Sequence, residues 1–596
     1  MPLVRTPMVA PTNIYEHFSL MDADQAAELV AEAIVRKPER LATGLGNIAS
    51  MVELLAPQLN RAVMSESYRM FPESEASGGE PMADGDASPA MIAFASLRRG
   101  VQWQPFSSNQ GADWGAMDHA RTDDEAMEAQ RLLLAQRAAV LAEGEAHASV
   151  CIDRLERARD LPVSHQSEIC DAIDGDFGQR PAAVTRLMDI FPAVHALGYA
   201  RRHVRCWMRP ERRHLGLPMG FPGVRGEILH QPLGVVGLIS PWNFPVTLAF
   251  GPLAGILAAG NRCLIKPSEL TPRTSELMRR LIGRHFDATE LAVVTGGREL
   301  ARGFSSLPFD HLIFTGSTAV GRHVMAAAAE HLVPVTLELG GKCPVVIGRS
   351  ADLVRAVDRI LLGKLANAGQ KCLAPGYVCM PREWLDAFVR QAKLWAARVY
   401  PDLPSNADYT SLIDSSHAQR VDELLADARA KDAQVIGLID TPMAADGERR
   451  LVSPALILGA TADMSVMQHE IFAPLLPVCA YDRMDEVIGE VNGRARPLAL
   501  HYFGTDRDEE REVLARTRAG GVSVNDVAVH FLAEELPFGG IGASGMGAYH
   551  GEHGFHRFSH ARAVLRQTRF DVAGLVGLRP PYRVRLRRSL QLLIGR

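Results

Sequence analysis

No two cysteines in this chain stand at CxxC spacing. The eight present, Cys151, Cys170, Cys206, Cys263, Cys343, Cys372, Cys379 and Cys479, are scattered. That excludes zinc-ribbon and thioredoxin-like readings and fits a reducing compartment. Long apolar runs are also scarce. The longest, Val246 to Gly260, is interrupted by Gly251, Pro252 and Gly255 and falls short of the ~20 residues a membrane span needs. The N-terminus, MPLVRTPMVAPTNIYEHF, lacks an apolar signal-peptide core. Charge of one sign is missing too. A formal net charge of −5 leaves no nucleic-acid footprint. A cytoplasmic enzyme without a membrane span is the expectation. At 596 residues the chain outgrows one compact core, so two or three domains are expected.

What is present is unevenly distributed. Residues 1–70 read as a helical accessory segment. Asp22 and Gln25 can form a capping box, followed by an apolar face of Ala26, Leu29, Val30, Ala33 and Ile34. A second face runs through Leu41, Leu45, Ile48, Val52 and Leu55. Two short helices bury little alone, so they are expected to pack on each other, the enzyme body, a second subunit or a partner protein, as an accessory docking module. Residues 71–123 read as a flexible linker, on the Pro, Gly, Ser and acidic content of 71–92. Helical patterns then lead into alternating strand and helix patterns from Gly234 onward, the signature of parallel βαβ units. The divisions expected are 124–338, 339–530 and a closing segment, 531–596, with a glycine-rich loop and a basic tail.

Three strings carry chemistry. Cys372 lies in Gly369-Gln370-Lys371-Cys372-Leu373-Ala374-Pro375. Glu338 ends the strand-like run Val335–Leu339 and is followed by Gly340 and Gly341. Asn243 lies in Ser240-Pro241-Trp242-Asn243-Phe244-Pro245. Alone, a buried cysteine is an inert small hydrophobe, Glu338 a strand-end acid and Asn243 a turn residue. Together they are the parts for oxidising an aldehyde through a thioester. A thiolate attacks the carbonyl. The Asn243 amide and the Cys372 N–H stabilise the oxyanion. Glu338 then serves as general base for hydrolysis.

In these contexts and this order, the strings resemble the aldehyde dehydrogenase superfamily over about residues 124–590. Leu536–Gly551, Phe555-His556-Arg557-Phe558-Ser559-His560 and Arg579-Pro580-Pro581-Tyr582 are similar to its class 3-like members, the coniferyl aldehyde dehydrogenases above all. The resemblance implies an α/β fold. It has a Rossmann-type cofactor domain, a second α/β catalytic domain and a small oligomerisation arm, here with an extra helical N-terminal segment. It implies NAD as cofactor, with NADP possible, and a homodimer. It also implies cofactor contacts at Trp242, Lys266, Ser268, Glu269, Gly296, Gly316, Ser317, Gly321, Leu339, Gly340, Glu470 and Phe472, and no metal. The substrate implied is an aromatic coniferyl-type or a medium to long aliphatic aldehyde. Two rivals stand beside it: a coenzyme A-acylating dehydrogenase, against which Glu338 argues, and a non-catalytic scaffold working through the N-terminal helices. Three departures stand out: Ala473 where a glycine is usual, Cys343 near Glu338, and Lys371 where threonine is frequent.

Overall fold

The structure, a computed structural model, describes residues 115–216, 224–439 and 450–569, positions 571, 574 and 577–582, and the helix Val584–Ile594. The helical pair expected within 1–70, and its docking surface, lie outside the described residues. The linker expected over 71–123 ends early, because a helix spans Gly115–Glu143. Ala, Glu, Leu, Met and Gln dominate that stretch, all strong helix formers, while the Pro- and Gly-rich composition is confined to residues before it.

β1 (Glu211–Arg213) and β2 (Arg225–Pro232) form an antiparallel pair. β3 (Val235–Ile239), β4 (Arg262–Lys266), β5 (Leu291–Val293), β6 (His311–Gly316) and β7 (Val335–Leu339) form a parallel sheet in the order β7-β6-β3-β4-β5. The chain winds outward from β3 to β5, then returns to β6 on the other side of β3. Winding reverses between β3 and β6, the place where open α/β sheets bind ligands outside their strand ends.

Burial explains why β3 and the Cys263–Ile265 centre of β4 read as unbroken apolar runs. Val236, Leu238, Cys263 and Ile265 pack on one face with helix Thr247–Ala258. Val235, Ile239 and Leu264 pack on the other with Leu132 and Leu133 of helix Gly115–Glu143. With both faces covered, neither set of alternating side chains meets water.

β8 (Pro344–Ile347), β9 (Tyr377–Pro381), β10 (Gln434–Gly437), β11 (Ala455–Leu458), β12 (Leu475–Tyr481), β13 (Ala499–Phe503) and β14 (Gly521–Val524) make the second sheet, in the order β10-β11-β12-β9-β8-β13-β14. It is parallel except for β10 on β11. β15 (Gly545–Met546) then returns to the first sheet, antiparallel to β7, with Gly545 opposite Glu338. Gly545 has φ +152°, and a Cβ there would strike the Leu337 carbonyl. β16 (Ser559–Arg566) closes the arm sheet, β1-β2-β16. Among the described residues no helix is long and apolar enough to cross a membrane.

Candidate active site

Cys372 follows a short turn with three consecutive left-handed residues: Asn367 (φ 54°), Ala368 (φ 52°) and Gly369 (φ 77°). Left-handed backbone at non-glycine residues persists only where surroundings enforce it, and it clusters at functional sites. Here side-chain amides do the enforcing. Gln370 donates to the carbonyls of Asn367 and Ser411, at 3.0 Å each, and accepts from the Ile413 N–H at 2.9 Å. Behind the loop, Lys364 donates to the Pro375 carbonyl at 3.0 Å and Lys342 to the Gly376 carbonyl at 3.1 Å. Burial lowers both amines, Lys364 to about 7. Cys343, one of the departures, is fully buried, its thiol pushed up to about 12 by burial. It donates to the Cys372 carbonyl at 3.4 Å. Fully buried and hydrogen-bonded to that carbonyl, it is a packing and positioning group.

Cys372 itself is half-buried. Burial pushes its thiol up, with Glu470, Cys343 and Glu338 adding to the rise and Lys371 opposing it. Its backbone N–H has no acceptor among the described residues. Asn243 is buried and donates from Nδ2 to the Gln370 carbonyl at 3.2 Å, which places its amide beside the cysteine loop. Glu338 is 3% exposed, and neither carboxylate oxygen has a hydrogen-bond partner. Burial raises its carboxyl well above the ordinary range, with Arg557 opposing weakly.

What holds Asn243 was not legible in its own string. Arg180 donates to the Asn243 carbonyl at 2.9 Å and to Asp189 at 2.6 Å, with both charged side chains fully buried. Asp189 also accepts the Val246 and Thr247 N–H groups at 3.1 Å, at the start of helix Thr247–Ala258. Burial raises the Asp189 carboxyl, against Arg180 and those two N–H groups. Removing one partner of a buried pair costs about 3–5 kcal/mol. Arg180→Met is therefore expected to destabilise the protein by about that amount, measured as the unfolding free energy in denaturant. A loss under about 1 kcal/mol would mean that the pair does not anchor this loop.

Two cavities meet at Cys372. One, of about 300 Å³, is walled mainly by apolar side chains, among them Phe191, Phe244, Phe531, Phe538 and Tyr549, with Lys371, Arg359 and Asp526 also in its wall. The other, of about 980 Å³, is lined by Trp242, Gly316, Ser317, Gly340, Arg420, Glu470 and Phe472. Cys372, Glu338, Leu339, Leu248 and Thr315 belong to both walls. A third cavity, of about 790 Å³ against Gln179–Ala182 and Ser405–Ala407, contains none of the site residues expected from the sequence.

The larger cleft gathers most of the expected cofactor residues. Ser317 caps helix Thr318–Ala329, accepting the Val320 N–H at 3.3 Å, so that helix N-terminus opens at the cleft wall. Glu470 is raised to about 7 by burial, and its Oε1 is buried without a partner. A Cβ on Gly340 would meet that carboxylate, so any other residue there would have to push the Glu470 side chain aside. Phe472, not Ala473, takes the left-handed conformation in this motif, with φ 50°. The alanine methyl is thus tolerated. The Trp242 ring lies edge-on to Phe472 at 5.8 Å and to His417 at 5.0 Å.

Other expected cofactor residues fall outside that lining. Lys266 is buried at the end of β4 and donates to Glu269 at 2.9 Å, while Arg298 approaches Glu269 at 3.8 Å. Ser268 stabilises the turn by accepting the Leu270 N–H at 3.2 Å. Gly321 packs the helix against Leu339, where a Cβ would come within 2.7 Å. Gly296 faces Glu125. Elsewhere, Glu211, His230 and His556 bring potential metal-ligand atoms within 4.8 Å of one another. That Glu211 carboxylate already pairs with His230 at 2.5 Å and with Arg213.

Sequence reasoning missed Arg180, Asp189, Asn367 and Lys364. Lys364 sits in an amphipathic helix and carries no local signal. Asn367 lies just upstream of the cysteine string, and the tolerance of asparagine for left-handed backbone was the one available cue.

The chain is similar to known aldehyde dehydrogenases. The model of the aldehyde dehydrogenase family matches residues 107–564. A probable coniferyl aldehyde dehydrogenase of Caulobacter vibrioides is 50% identical over 464 residues, covering 77% of this chain and 95% of the relative. A coniferyl aldehyde dehydrogenase of a Pseudomonas species is 49% identical over 458 residues, covering 76% and 94%. The substrate-bound structure of Staphylococcus aureus AldH superposes with a TM-score of 0.73 at 32% identity, covering 78% of this chain and 99% of that one.

Proposed function

The chain belongs to the aldehyde dehydrogenase family, and on that footing we propose that it oxidises aromatic, coniferyl-type aldehydes to carboxylic acids with Cys372 as nucleophile. One observation carries this reading. Cys372 and Glu338 form the wall shared by an apolar pocket and a polar cleft. A reacting carbonyl at that junction would have its organic group on one side and a hydride acceptor on the other. The aromatic lining of the smaller pocket, and the relatives named for coniferyl aldehyde, favour a ring-bearing substrate over a long aliphatic chain.

The geometry supports the following proposed roles. Cys372 Sγ attacks the carbonyl carbon, and the oxyanion that forms takes hydrogen bonds from the free Cys372 N–H and from the Asn243 amide, whose second Nδ2 proton is unused. Glu338, raised by burial, becomes a base nearer neutral pH than an ordinary carboxylate. It takes a proton from the water that hydrolyses the thioester. Asn243→Ala is expected to lower kcat by about 10²–10³-fold. Unchanged kcat would show that the backbone donor suffices alone.

The family uses a nicotinamide cofactor, and the larger cleft suits one. It has an unpartnered buried Glu470 oxygen, a glycine at 340 that brings backbone against it, and a capped helix N-terminus that favours phosphate. Trp242, Ser317, Leu339, Gly340, Glu470 and Phe472 would hold it, with Lys266 and Glu269 at the adenosine end. Bound there, it would supply the hydride acceptor. We propose NAD as the main cofactor, because an anionic Glu269 repels a 2′-phosphate. Arg298, 82% exposed beside Glu269, leaves room for NADP as well. A homodimer is proposed on β16, an exposed edge strand of the arm, since unpaired strand edges recruit another chain.

The deciding experiment follows absorbance of the reduced nicotinamide across aromatic and aliphatic aldehydes with each cofactor. Turnover with cinnamaldehyde-type substrates above that with aliphatic ones is expected. No reduction with any aldehyde would overturn the proposal.

A further inference from the structure

Lys371 immediately precedes Cys372 and lines the apolar pocket. It is half-buried, yet among the described residues its ammonium has no hydrogen-bond or ion-pair partner. The neighbouring acid, Asp526, stands in the same wall but is shared with Arg359 at 3.9 Å. Besides Glu338, the charged lining of the pocket is therefore Lys371, Arg359 and Asp526, two cations and one anion among largely apolar walls. An unpaired ammonium in such a place costs free energy that a well-placed acceptor would recover. Burial lowers the amine to about 8, against the opposing pull of Cys372, Cys343 and Asp526, as expected of a cation lacking a dedicated anion.

We propose that Lys371 is a specificity-determining residue that binds an acidic ring hydroxyl of the substrate, so that the pocket selects phenolic aldehydes. This rests on the aldehyde-oxidising reading above. The aromatic walls contributed by Phe191, Phe531 and Phe538 would hold the ring while Cys372 reaches the aldehyde. In a para-hydroxycinnamaldehyde, conjugation with the carbonyl makes the phenol more acidic than that of tyrosine. A phenol of that kind and an ammonium of lowered affinity for its proton are well matched for a charge-assisted hydrogen bond. Methylating the phenol removes the donor and the possibility of negative charge while keeping the ring and the aldehyde.

The test compares kcat/KM for para-hydroxycinnamaldehyde and para-methoxycinnamaldehyde in the full-length wild type, Lys371→Met and Lys371→Arg. Wild type should prefer the phenol. Lys371→Met should reduce the ratio about 10- to 100-fold, the scale of one hydrogen bond to a charged group, mostly through KM for the phenol. Lys371→Arg should keep part of the preference. Affinities for the two corresponding cinnamate acids, measured by calorimetry, supply a readout without turnover. An active wild type with no phenol preference, or a ratio unmoved in active Lys371→Met, overturns the role of Lys371 and leaves the aldehyde-oxidising reading intact. A wild type that oxidises neither aldehyde sinks that reading instead. In that case the calorimetric comparison decides Lys371, and equal affinity for both acids overturns it.

Discussion

Cys372→Ala is expected to lower aldehyde oxidation by roughly 10⁴-fold or more while leaving the dissociation constant for NAD near that of the wild type. Removing a covalent nucleophile eliminates the acyl-enzyme route and leaves only binding and electrostatic contributions. The contacts proposed for the cofactor lie elsewhere, on Trp242, Ser317, Gly340, Glu470 and Phe472 in the larger cleft. None of the loop's supports involves the Cys372 side chain. Gln370, Lys342 and Lys364 hold backbone carbonyls and one N–H, so the loop should survive the change. Steady-state rates and quenching of protein fluorescence by NAD read the two halves of the prediction. Substantial oxidation by the alanine variant would remove Cys372 from its proposed role.

Glu338→Gln should separate the two halves of the reaction. Hydride release needs the thiol and the oxyanion donors, so a rapid burst of reduced cofactor is expected. Hydrolysis needs a base, so turnover after the burst should fall by about 10²–10⁴-fold. The amide is nearly isosteric and uncharged in a pocket where burial already disfavours charge, so folding should be little affected. Acyl-enzyme should accumulate and be detectable as an added mass on Cys372. The wild-type pH–rate profile should show an acid limb above the ordinary carboxylate range, because the base is active only when ionised and burial raises its proton affinity. The glutamine variant should lack that limb. Undiminished steady-state turnover would mean that another group activates the water.

These expectations start from short strings, and the folded chain shows why the strings were readable. Glu338 ends a buried strand and is followed by two glycines. A Cβ at one of them, Gly340, would displace the Glu470 carboxylate that crosses there. Ser317 follows β6 and caps the next helix. Strand, turn and helix are written in neighbouring residues, so periodicity and turn chemistry expose them. The left-handed turn before Cys372 was less visible. Asn367 and Ala368 are not glycines, and the turn is held by side-chain amides, the Asn367 Nδ2 group reaching both the nearby Gln370 carbonyl and the distant Asn243 carbonyl.

The amino-acid sequence by itself determined the α/β alternation and the family, and it singled out Asn243, Glu338 and Cys372 as the candidate trio, because each of these signals depends on residues within a few positions of one another. The tertiary structure alone decided that Arg180 and Asp189 brace Asn243, that Lys342 and Lys364 clamp the cysteine loop, and that Lys371 lines the pocket. It also decided that two cavities share Cys372 and Glu338 as a common wall. Such contacts join residues far apart in the chain. They are set by which strands neighbour one another and by how helices pack on them. A side chain's partner across a sheet or beneath a loop leaves no periodic trace in the residues beside it, so it becomes legible only when the chain is folded.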